Sequence, residues 1–459
     1  MVSVRNHSAA IAGRTWFGHP RGLTILFLTE MWSEFSFFGM RTLLVYYMTQ
    51  QLLISQAHSS LIYGIYLAVA YFTPIPGGIA SDRWLGRRRA VLLGGGIMAA
   101  GHFMMAFEAT FYPALATIAI GNGLLLPSLT SQINELYTEH DPRKSVAYNI
   151  YYVGVNVGGM AAPFICGTVG ELWGWNWGFT VAGLGMVAGL IVYLIGTPLL
   201  PREQGSPRRR AADEVERGKP EKLGRGTIVL LAAVLVLVII YRSAYEQVGN
   251  TVALWADTGV DRGIGGWTIP MTWFQALNPL GIFLFTPIVL AWWRWRAARG
   301  KSRSAVAKMA MGALVLCASF LLLTVVALHA SASGTRASWI WLASYFFLFT
   351  AGELFILPVG LGLFGRVAPP KIAATMIAAW FAAAFLGNLG AGMLGTLWSR
   401  LPPYAFFALI AAVAATSGML LLALVPWARK FDPDSAAQHA ARPASQLAHA
   451  TVDGRSKAP

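Results

Sequence analysis

Charged side chains within long apolar segments are the residues of this sequence that could carry out chemistry. One set follows helical steps of four, three and four residues and consists of Glu30, Glu34, Phe37 and Arg41. On a helix these side chains lie along one stripe. Two carboxylates one turn apart repel each other and burial disfavours their ionised forms, whereas the arginine favours ionisation. We therefore expect this stripe to bind and release protons, with a structural ion pair or a buried polar cluster as the alternative.

Two further glutamates lie in apolar segments of the second half of the chain. Glu246 occurs in YRSAYEQVGN, where Arg242 is one turn away and a local ion pair is one interpretation. Glu353 is the only charged residue of its segment, FLFTAGELFILPVGL, and suits either an ammonium group or a proton. A charge inside a membrane costs about 2.5–3.5 kcal/mol on insertion scales and usually faces a cavity. Both glutamates are therefore candidate site residues.

Buried amides and aromatic side chains complete the candidate set. The amides, each of which could instead simply join two helices, are Asn122, Asn149, Asn156, Gln275, Asn278 and Asn388. Tyr71, Tyr148 and Trp380 could line a cavity, although packing is the default role in a chain with 17 Trp and 15 Tyr residues. The sequence contains no nucleophile elbow, phosphate-binding loop or metal-ligand cluster. We therefore expect no enzyme, no bound cofactor and no metal site.

The elements that must position these residues are predicted to be membrane-spanning helices. The chain has 459 residues, of which 56% are hydrophobic and 12% are charged, whereas soluble domains carry about 25% charged residues. Apolar runs of about 20 residues, enough to cross a bilayer, recur along the chain. The predicted spans are 23–50, 59–80, 89–108, 111–136, 145–168, 177–199, 226–250, 267–293, 305–329, 337–362, 372–396 and 403–427. This pattern predicts an all-α membrane protein with about twelve helices in two six-helix bundles.

Polar stretches divide the chain into two halves and a tail. The predicted regions are an N-terminal bundle at 1–200, a cytoplasmic linker at 201–225, a C-terminal bundle at 226–430 and a disordered cytoplasmic tail at 431–459. Basic residues are concentrated in alternate loops, which places these loops and both termini in the cytoplasm by the positive-inside rule. The same loops account for the net charge of +15, so no nucleic-acid partner is expected. The first apolar run is too long for a signal peptide and is interpreted as an uncleaved span.

The loop between the second and third spans has an ordered pattern of glycine and charge. Its sequence, GGIASDRWLGRRR, runs from Gly77 to Arg89 and resembles the signature loop of the major facilitator superfamily. We expect Gly78 to allow close helix packing, Asp82 to cap a neighbouring helix end, and Arg83 to anchor the cytoplasmic face with the other basic residues. Two six-span halves joined by a cytoplasmic linker fit an alternating-access transporter with a cavity near the membrane midplane.

Longer stretches resemble the proton-dependent oligopeptide transporters, the peptide branch of this superfamily. FGMRTLLVYYM and YFTPIPGGIASDRWLGRRR are similar to that family's first two helices, and GNGLLLPSLTSQINELY and YNIYYVGVNVGGMAAPFICG to its fourth and fifth. YEQVGNTVALWAD, PMTWFQALNPL, GELFILPVGL and WFAAAFLGNLGAG are similar to the seventh, eighth, tenth and eleventh helices. The matches follow the family's order and cover most of both halves.

This resemblance implies roles for individual residues. The implied substrate-binding residues are Arg41, Tyr71, Asn156, Asn278, Glu353 and Trp380. The two asparagines and Glu353 would hold the amino terminus of a peptide, and Trp380 would line a side-chain pocket. Arg41 and Tyr71 would face the substrate or its carboxyl end. Glu246 would take part in proton coupling or in an ion pair between the bundles.

The first helix departs from the family pattern E-x-x-E-R-F-x-Y-Y-G. EMWSEFSFFG keeps Glu30, but Ser33 replaces the second glutamate and Glu34 replaces the arginine. In the fourth helix, Leu126 replaces the usual lysine. Two expected cations are therefore missing, and Arg41 is the only obvious cation left for a substrate carboxylate. Because like charges repel, an anionic peptide C-terminus is predicted to bind poorly near the substituted acid.

The leading hypothesis is a proton-coupled importer, a multi-pass protein of the bacterial inner membrane in which Glu30, Glu34 and Glu246 couple protons. Its substrate would be a di- or tripeptide or a related amine-bearing compound, with a blocked or absent carboxylate as one form. Membrane lipid is the other expected partner, and we expect a monomer driven by the proton gradient without a cofactor. A proton antiporter that exports cationic or amphiphilic compounds is the alternative, and a non-transporting membrane sensor or scaffold is the third hypothesis.

Overall fold

The computed structural model describes residues 15–16, 18–138, 141–201, 224–301, 303–367 and 373–430. Within these ranges, long helices joined by short turns form almost the whole protein. The strands have two residues each and are β1 (Thr15–Trp16), β2 (His19–Pro20), β3 (Val260–Asp261), β4 (Gly263–Ile264), β5 (Trp267–Thr268) and β6 (Ala337–Ser338). Strands β1 and β2 pair antiparallel, as do β4 and β5, whereas β3 and β6 pair parallel. The predicted all-α class is confirmed.

The helices of the first half form one packed bundle. They are α1 (Arg21–Tyr46), α2 (Gln56–Phe72), α3 (Pro74–Ala80), α4 (Arg87–Met104), α5 (Phe111–Glu135), α6 (Arg143–Ala162), α7 (Thr168–Trp173) and α8 (Trp175–Gly196). Helix α1 packs against α6 and α8, and α4 packs against α5 and α8. Short π-helical turns prolong α1, α3 and α6 at Tyr47–Gln51, Ser81–Leu85 and Pro163–Gly167. Helices α2 and α3, separated by one residue, therefore act as one long segment.

The second half has the same kind of architecture. Its helices are α9 (Arg225–Tyr245), α10 (Thr251–Thr258), α11 (Leu277–Ala298), α12 (Ala305–Ser333), α13 (Trp339–Val367), α14 (Ala373–Gly395) and α15 (Pro403–Ala428). Helix α12 packs against α13 and α15, and α9 packs against α14 and α15. Two 3-10 turns, Glu246–Gly249 and Met271–Ala276, precede α10 and α11. The first of these turns interrupts a segment that the sequence predicts to be one continuous span.

Ten helices in the described parts of the chain are long and apolar enough to cross a membrane. The prediction of about twelve spans is therefore not confirmed by this count, because α1 and α4 are not among the ten. Helix α1 contains Glu30, Glu34 and Arg41, and α4 begins with three arginines. Their charges lower the mean hydropathy of two helices that nevertheless pack inside the first bundle.

The two halves meet along α2 and α14, and along α6 and α11. A Cβ atom on Gly64 of α2 would lie 2.5 Å from the Cα of Gly392 on α14, so the two backbones touch directly. Residues 202–223 of the predicted linker and the predicted tail at 431–459 lie outside the described residues. The limits of these two regions therefore stay predictions.

The glycines of the Gly77–Arg89 motif have different roles from those predicted. A Cβ atom on Gly78 would sit at an ordinary 3.5 Å from Pro127. The close approach belongs to Gly77, where a Cβ would clash with the Gly123 carbonyl of α5. Gly86, the residue before α4, has a φ of +81°, which favours glycine because other residues rarely adopt it. Tight packing in this motif is thus one residue away from the predicted position.

The acid of the same loop binds a side chain of the helix that follows it. Asp82 lies 3.5 Å from the Nε of Arg87, and Arg87 Nη1 donates to Glu135 at 2.7 Å. The start of α4 has no side-chain hydrogen bond as a cap, so Asp82 does not cap the helix that follows it, and its predicted capping of another helix end stays a prediction. Arg83 is exposed and is free to meet lipid head groups or water.

Other basic residues form hydrogen bonds to neighbouring segments at this end of the bundles. Arg88 Nη2 donates to the carbonyls of Leu200 and Pro201 at 2.8 and 2.7 Å. Arg143 Nη2 donates to Asp141 at 2.7 Å, and the Arg143 guanidinium and backbone N–H hold the pKa of the Asp141 carboxyl below its usual range. We call this side of the molecule, with residues 81–89, 136–138 and 141–143, the basic end.

Candidate functional site

A cavity of about 150 Å³ lies between the two halves. Helices α1, α2 and α6 of the first half and α9, α11 and α13 of the second contribute to its walls. Polar and charged residues that line it include Arg41, Tyr71, Asn156, Arg242, Asn278 and Glu353. Ligand pockets typically measure about 300–1,000 Å³, so this cavity suits a small molecule rather than a long chain.

One carboxylate joins the two arginines that line this cavity. Glu246 Oε2 accepts a hydrogen bond from Arg41 Nη2 at 2.7 Å, and Oε1 accepts one from Arg242 Nη1 at 2.9 Å. All three side chains are buried. We call this set the arginine–glutamate cluster. It links α1 of the first half to α9 of the second, and it contains two positive charges and one negative charge.

Local backbone structure brings the cluster together. Helix α9 ends one residue before Glu246, and the 3-10 turn that follows continues to Gly249. Arg242 is four residues before the glutamate and therefore shares its face. A Cβ atom on Gly249 would clash with the Tyr63 hydroxyl, which accepts a hydrogen bond from Arg41 Nε at 3.0 Å. Glycine at this position thus allows α2 to approach the turn and support the arginine.

Tyr71 interacts with the second arginine of the cluster. The Arg242 guanidinium lies over the Tyr71 ring, 5.1 Å from its centroid, at a distance typical of a cation–π contact. Tyr71 is part of α2 in the first half, whereas Arg242 is part of α9 in the second. Tyr71 therefore lies in the cavity, as predicted, beside a cation that the prediction did not assign to it.

Glu353 faces the same cavity from α13. One of its oxygens, Oε2, accepts a hydrogen bond from Asn278 Nδ2 at 2.6 Å, and this amide also lies 3.0 Å from Thr350 Oγ1. The Tyr245 side chain forms a further hydrogen bond with Glu353. These partners, all from described residues, are neutral. Among the described residues no cation forms an ion pair with Glu353 within 4 Å, although the positive charge of Arg242 also acts on it electrostatically.

Asn156 reaches the cavity from α6, on the side of the first half. The residue is 5% exposed, and its Nδ2 donates to the Tyr152 carbonyl at 2.9 Å. The structure thus brings Asn156, Asn278 and Glu353 to one cavity. That arrangement is the one that the family resemblance implies for an amino-terminus site.

Glu30 and Glu34 lie on α1 and are not among the described residues that line the cavity. Glu30 is 1% exposed and hydrogen-bonds the Tyr151 side chain, while its Oε2 has no partner in the described part of the chain. Glu34 is partly buried and interacts electrostatically with both Glu30 and Arg41. The predicted stripe is therefore divided into an acidic part, which is outside the cavity, and Arg41, which is part of the cavity wall.

Trp380 is placed differently from its implied role. It is 6% exposed, packs against Phe364 with ring centroids 5.5 Å apart, and abuts Gly360. It does not appear among the described residues that line the cavity. The expectation that it lines a side-chain pocket is therefore not met in this conformation.

Several buried amides have structural roles. Asn122 donates to the Ala70 carbonyl at 3.1 Å, and Asn388 donates within its own helix to the Ala384 carbonyl at 2.8 Å. Gln275 lines the cavity, whereas Asn149 is exposed. The interpretation of buried amides as helix-joining groups thus fits Asn122.

Arg242 is the main cavity residue that sequence reasoning did not identify. It was expected only as a possible local partner of Glu246, and Arg41 was expected to be the only obvious cation for a substrate. The structure confirms the local pair, with Arg242 Nη1 2.9 Å from Glu246 Oε1, and it also places both arginines in the cavity wall. The spacing of four residues to a buried glutamate is the signal that could have found it, because residues at that spacing share a face.

Comparisons with known proteins agree with the fold. A POT family model matches residues 88–213 and 222–407. A di-/tripeptide transporter of Lactococcus lactis subsp. lactis is 30% identical over 478 residues, covering 89% of this chain and 96% of that transporter. The peptide transporter YePEPT of Yersinia enterocolitica subsp. palearctica is 29% identical over 455 residues, covering 83% of this chain and 89% of its own length.

A solved structure extends the similarity to three dimensions. The crystal structure of a mutant of the peptide transporter POT in complex with alafosfalin superimposes with a TM-score of 0.82. The two sequences are 27% identical, and the alignment covers 94% of this chain and 99% of that one. The predicted major facilitator fold is confirmed by this similarity. With most of its length matched by the family model, the chain belongs to the POT family.

Proposed function

We propose that this chain is a proton-coupled symporter that imports di- or tripeptides and related amine-bearing compounds by alternating access. The family and the transporters named above support peptide transport, and members of the family are transporters and not enzymes. The observation that carries the proposal is Glu353, a buried carboxylate that faces the cavity and whose hydrogen-bond partners among the described residues are neutral. A buried carboxylate of this kind needs a cation for full compensation, and a peptide's ammonium group is one.

The proposed amine site consists of a carboxylate, which accepts hydrogen bonds, and of amide side chains, which both accept and donate them. Asn278 holds one Glu353 oxygen at 2.6 Å, and Asn156 lines the same cavity. An ammonium group has three donors, which a carboxylate and two amide oxygens can satisfy. The small cavity would thus select a primary amine by charge and by the number of its hydrogen bonds.

Proton coupling would use Glu246 together with Glu30 and Glu34. A proton on Glu246 removes the negative charge that holds Arg41 and Arg242, and so weakens the link between α1 and α9. Glu30 interacts with another acid and with a tyrosine in the described structure, so a proton is a simple way to neutralise it. Loading and release of protons at these two places would favour different arrangements of the two halves.

The setting of the proposed activity follows from the membrane fold. The protein is a multi-pass membrane protein, and we place it in a bacterial inner membrane with both termini in the cytoplasm, because the basic loops lie at one end. The proton gradient would supply the energy without a bound cofactor. A monomer surrounded by lipid is the expected working form.

Exchange of Glu353 for glutamine tests the amine site. Glutamine keeps the shape and the hydrogen bond to Asn278 but removes the charge. We expect Glu353→Gln to lower dipeptide uptake into proteoliposomes at least about tenfold, corresponding to about 1.4 kcal/mol of lost binding or transition-state stabilisation. Normal uptake by a folded variant would overturn the assignment.

A matched control and the direction of the gradient complete this test. Glu108→Gln alters an exposed glutamate that binds Gln51 within the same half, and its uptake should equal that of the unchanged protein. Accumulation should require an acidic exterior. Accumulation driven instead by an acidic interior would favour the antiporter alternative.

A further inference from the structure

A second pocket, lined by cations and tryptophans, lies where α11 ends and α12 begins. It shares no lining residue with the cavity between the halves. The described residues that line it are Trp292, Trp293, Arg296, Arg303, Lys308 and Met311. Three of these residues are cationic and none is an acid, so the pocket favours an anion. The proposed transport of peptides does not use it.

The segment that contains these cations is basic throughout. From Arg294 to Lys308 the sequence has six arginines and lysines and neither aspartate nor glutamate. The positive-inside rule explains an excess of charge in such a loop, but it does not require the charges to meet in one pocket. Arg296 belongs to α11, Arg303 to the connection and Lys308 to α12, so folding of two helices brings them together.

Tryptophan rings hold two of these cations. The Arg296 guanidinium lies 5.3 Å from the centroid of the Trp292 ring, and Lys308 Nζ lies 4.7 Å from the centroid of the Trp293 ring. Both distances are typical of cation–π contacts. Arg296 Nε also donates to the Lys301 carbonyl at 3.3 Å. Since a guanidinium has five N–H donors, Arg296 keeps donors that no described residue accepts.

Trp293 adds an unsatisfied donor to the same pocket. Its indole Nε1 is buried and has no hydrogen-bond partner within the described ranges, and buried donors of this kind are normally satisfied. The open space in the pocket is about 20 Å³, whereas one water-sized group needs about 10–15 Å³. An anionic oxygen has this size, and arginine binds phosphate oxygens with short, charge-assisted hydrogen bonds.

The pocket lies at the end of a membrane-spanning segment. Met271–Ala298 is long and apolar enough to cross a bilayer, and Trp292, Trp293 and Arg296 are in its last two turns. Tryptophan is enriched at the membrane–water interface, and long basic side chains reach from there to the head groups. The anion that a membrane supplies at this level is the phosphate of a lipid.

We infer that this pocket binds the phosphate of an anionic membrane phospholipid, with Arg296 and Arg303 as its cationic partners and Trp293 as a further donor. Basic pockets between transmembrane helices are suited to such head groups. A phosphatidylcholine also has a phosphate, but its own ammonium group compensates that charge. The pocket should therefore prefer phosphatidylglycerol. This inference does not depend on the substrate or on the direction of transport.

The aromatic wall of the pocket also contacts α13. The rings of Trp292 and Trp293 pack on Phe355, with centroids 5.9 and 5.6 Å apart. Phe355 is two residues after Glu353 of the central cavity. A bound head group would therefore join α11 to α12 beside α13. Because a ligand that binds only the folded state stabilises it, phosphatidylglycerol should raise the unfolding temperature of the protein.

Lipid binding to the purified full chain tests this inference. Native mass spectrometry in a non-ionic detergent gives the Kd of the first bound lipid, for phosphatidylglycerol and for phosphatidylcholine with the same acyl chains. We expect the unchanged protein to bind phosphatidylglycerol at least about tenfold more tightly. In Arg296→Gln/Arg303→Gln this preference should fall at least about fivefold, because both guanidinium groups are lost.

A matched control removes two cations from the same segment but outside the pocket. Arg294 and Arg299 are exposed and are not among the described lining residues. Arg294→Gln/Arg299→Gln changes the net charge by the same amount, and its preference should stay within about twofold of that of the unchanged protein. Thermal unfolding without added lipid checks that both variants fold. Arg303→Gln, at an exposed residue, and Arg299→Gln repeat the comparison if a double variant does not fold.

Each outcome of the experiment decides the matter. A loss of preference in the pocket variant alone supports the inference. An equal loss in the control variant overturns it, because the loop would then attract anionic lipid by its net charge and not by a pocket. Equal binding of the two lipids by the unchanged protein also overturns it. Displacement of phosphatidylglycerol by millimolar inorganic phosphate would assign the pocket to a small free anion and overturn the lipid site.

Discussion

Glu246 compensates the charges of two guanidinium groups at once, so its substitution should disturb two ion pairs of the site. The side chain is fully buried, and each of its oxygens accepts a hydrogen bond from a different arginine. Because one of these arginines belongs to α1 and the other to α9, the carboxylate acts both within the second half and between the halves. Its charge is therefore expected to influence stability and transport together.

Substitution of Glu246 by glutamine removes the only negative charge of the arginine–glutamate cluster. The cost of breaking a buried pair while leaving its partner in place is about 3–5 kcal/mol. We expect Glu246→Gln to unfold at a lower temperature in detergent than the unchanged protein. The double variant Arg242→Gln/Glu246→Gln contains one fewer positive charge and should recover part of the loss, as a double-mutant cycle measures. Identical unfolding temperatures for Glu246→Gln and the unchanged protein would contradict the described charge balance.

Residues with an unusual type for their surroundings could be identified from the sequence alone. Glu353 and Arg41 are charges in apolar segments, and both line the cavity. Asn156 and Asn278 required the family resemblance, since a buried amide alone is as well explained by helix packing. The cavity-lining role implied for Trp380 is not met, because an aromatic residue in a tryptophan-rich chain can pack as readily as it can line a site. Tertiary contacts, which the sequence does not show, decide between the two.

Helices α2 and α14 form the most extensive helix-to-helix contact between the halves among the described residues. Around Gly64, an added Cβ would lie 2.5 Å from the Gly392 Cα and 2.7 Å from the Asn388 carbonyl oxygen. Neighbouring hydrogen bonds strengthen the contact, because Gln56 Nε2 donates to the Gly395 carbonyl at 2.9 Å. These glycines allow two backbones to meet, which small residues commonly do at helix contacts in membranes.

A larger side chain at Gly64 should prevent this contact. Forcing extra carbons into a packed interface costs about 1–3 kcal/mol, and the backbone atoms that oppose Gly64 cannot rotate away. We expect Gly64→Val to lower dipeptide uptake in proteoliposomes at least about tenfold through loss of this closure. Gly96→Val is the matched control, because a Cβ on Gly96 meets no atom within 4 Å. Equal uptake by both variants would show that the α2–α14 contact is not needed for transport.

Helices could be predicted well where their apolar length is the main signal, and poorly where tertiary contacts break them. The predicted span at 403–427 corresponds to α15 (Pro403–Ala428). The predicted span at 226–250 is instead divided, since α9 ends at Tyr245 and a 3-10 turn follows. Its polar residues are held by contacts with distant helices, such as Asn250 with Ser60 at 2.9 Å. Hydrophobic periodicity contains no information about such contacts.

Hydrogen bonds connect the two halves at the end opposite the basic loops. Contacts between the halves at this opposite end include Tyr46 with the Ala253 carbonyl at 2.8 Å, Gln50 with Asp257 at 2.8 Å, and Ser399 N with Gln56 at 3.1 Å. The cavity is therefore closed on this side. If the basic loops face the cytoplasm, as the positive-inside rule predicts, the closed side is the exterior.

Glu171 makes the densest set of these contacts. Its carboxylate accepts hydrogen bonds from the backbone N–H groups of Met271 and Thr272 at 3.0 and 2.9 Å, and from the Thr272 hydroxyl at 2.5 Å. Arg262 approaches it at 3.8 Å. One side chain of α7 in the first half thus binds the turn before α11 in the second half.

Removal of the Glu171 carboxylate should shift the whole molecule towards the state that is open at this end. Hydrogen bonds to charged groups contribute about 1.5–3 kcal/mol each, so the loss of several is large relative to a typical equilibrium between two conformations. Spin labels on cysteines introduced at Leu53 and Arg336, which are exposed on opposite halves at this end, would report the separation, with Cys166 and Cys317 replaced by alanine. We expect double electron–electron resonance to show a longer distance component in Glu171→Ala than in the unchanged protein.

Glu108→Ala removes an acid whose bond to Gln51 stays within the first half, and it should leave the distances unaltered. An unchanged distribution in Glu171→Ala would mean that this carboxylate does not hold the halves together.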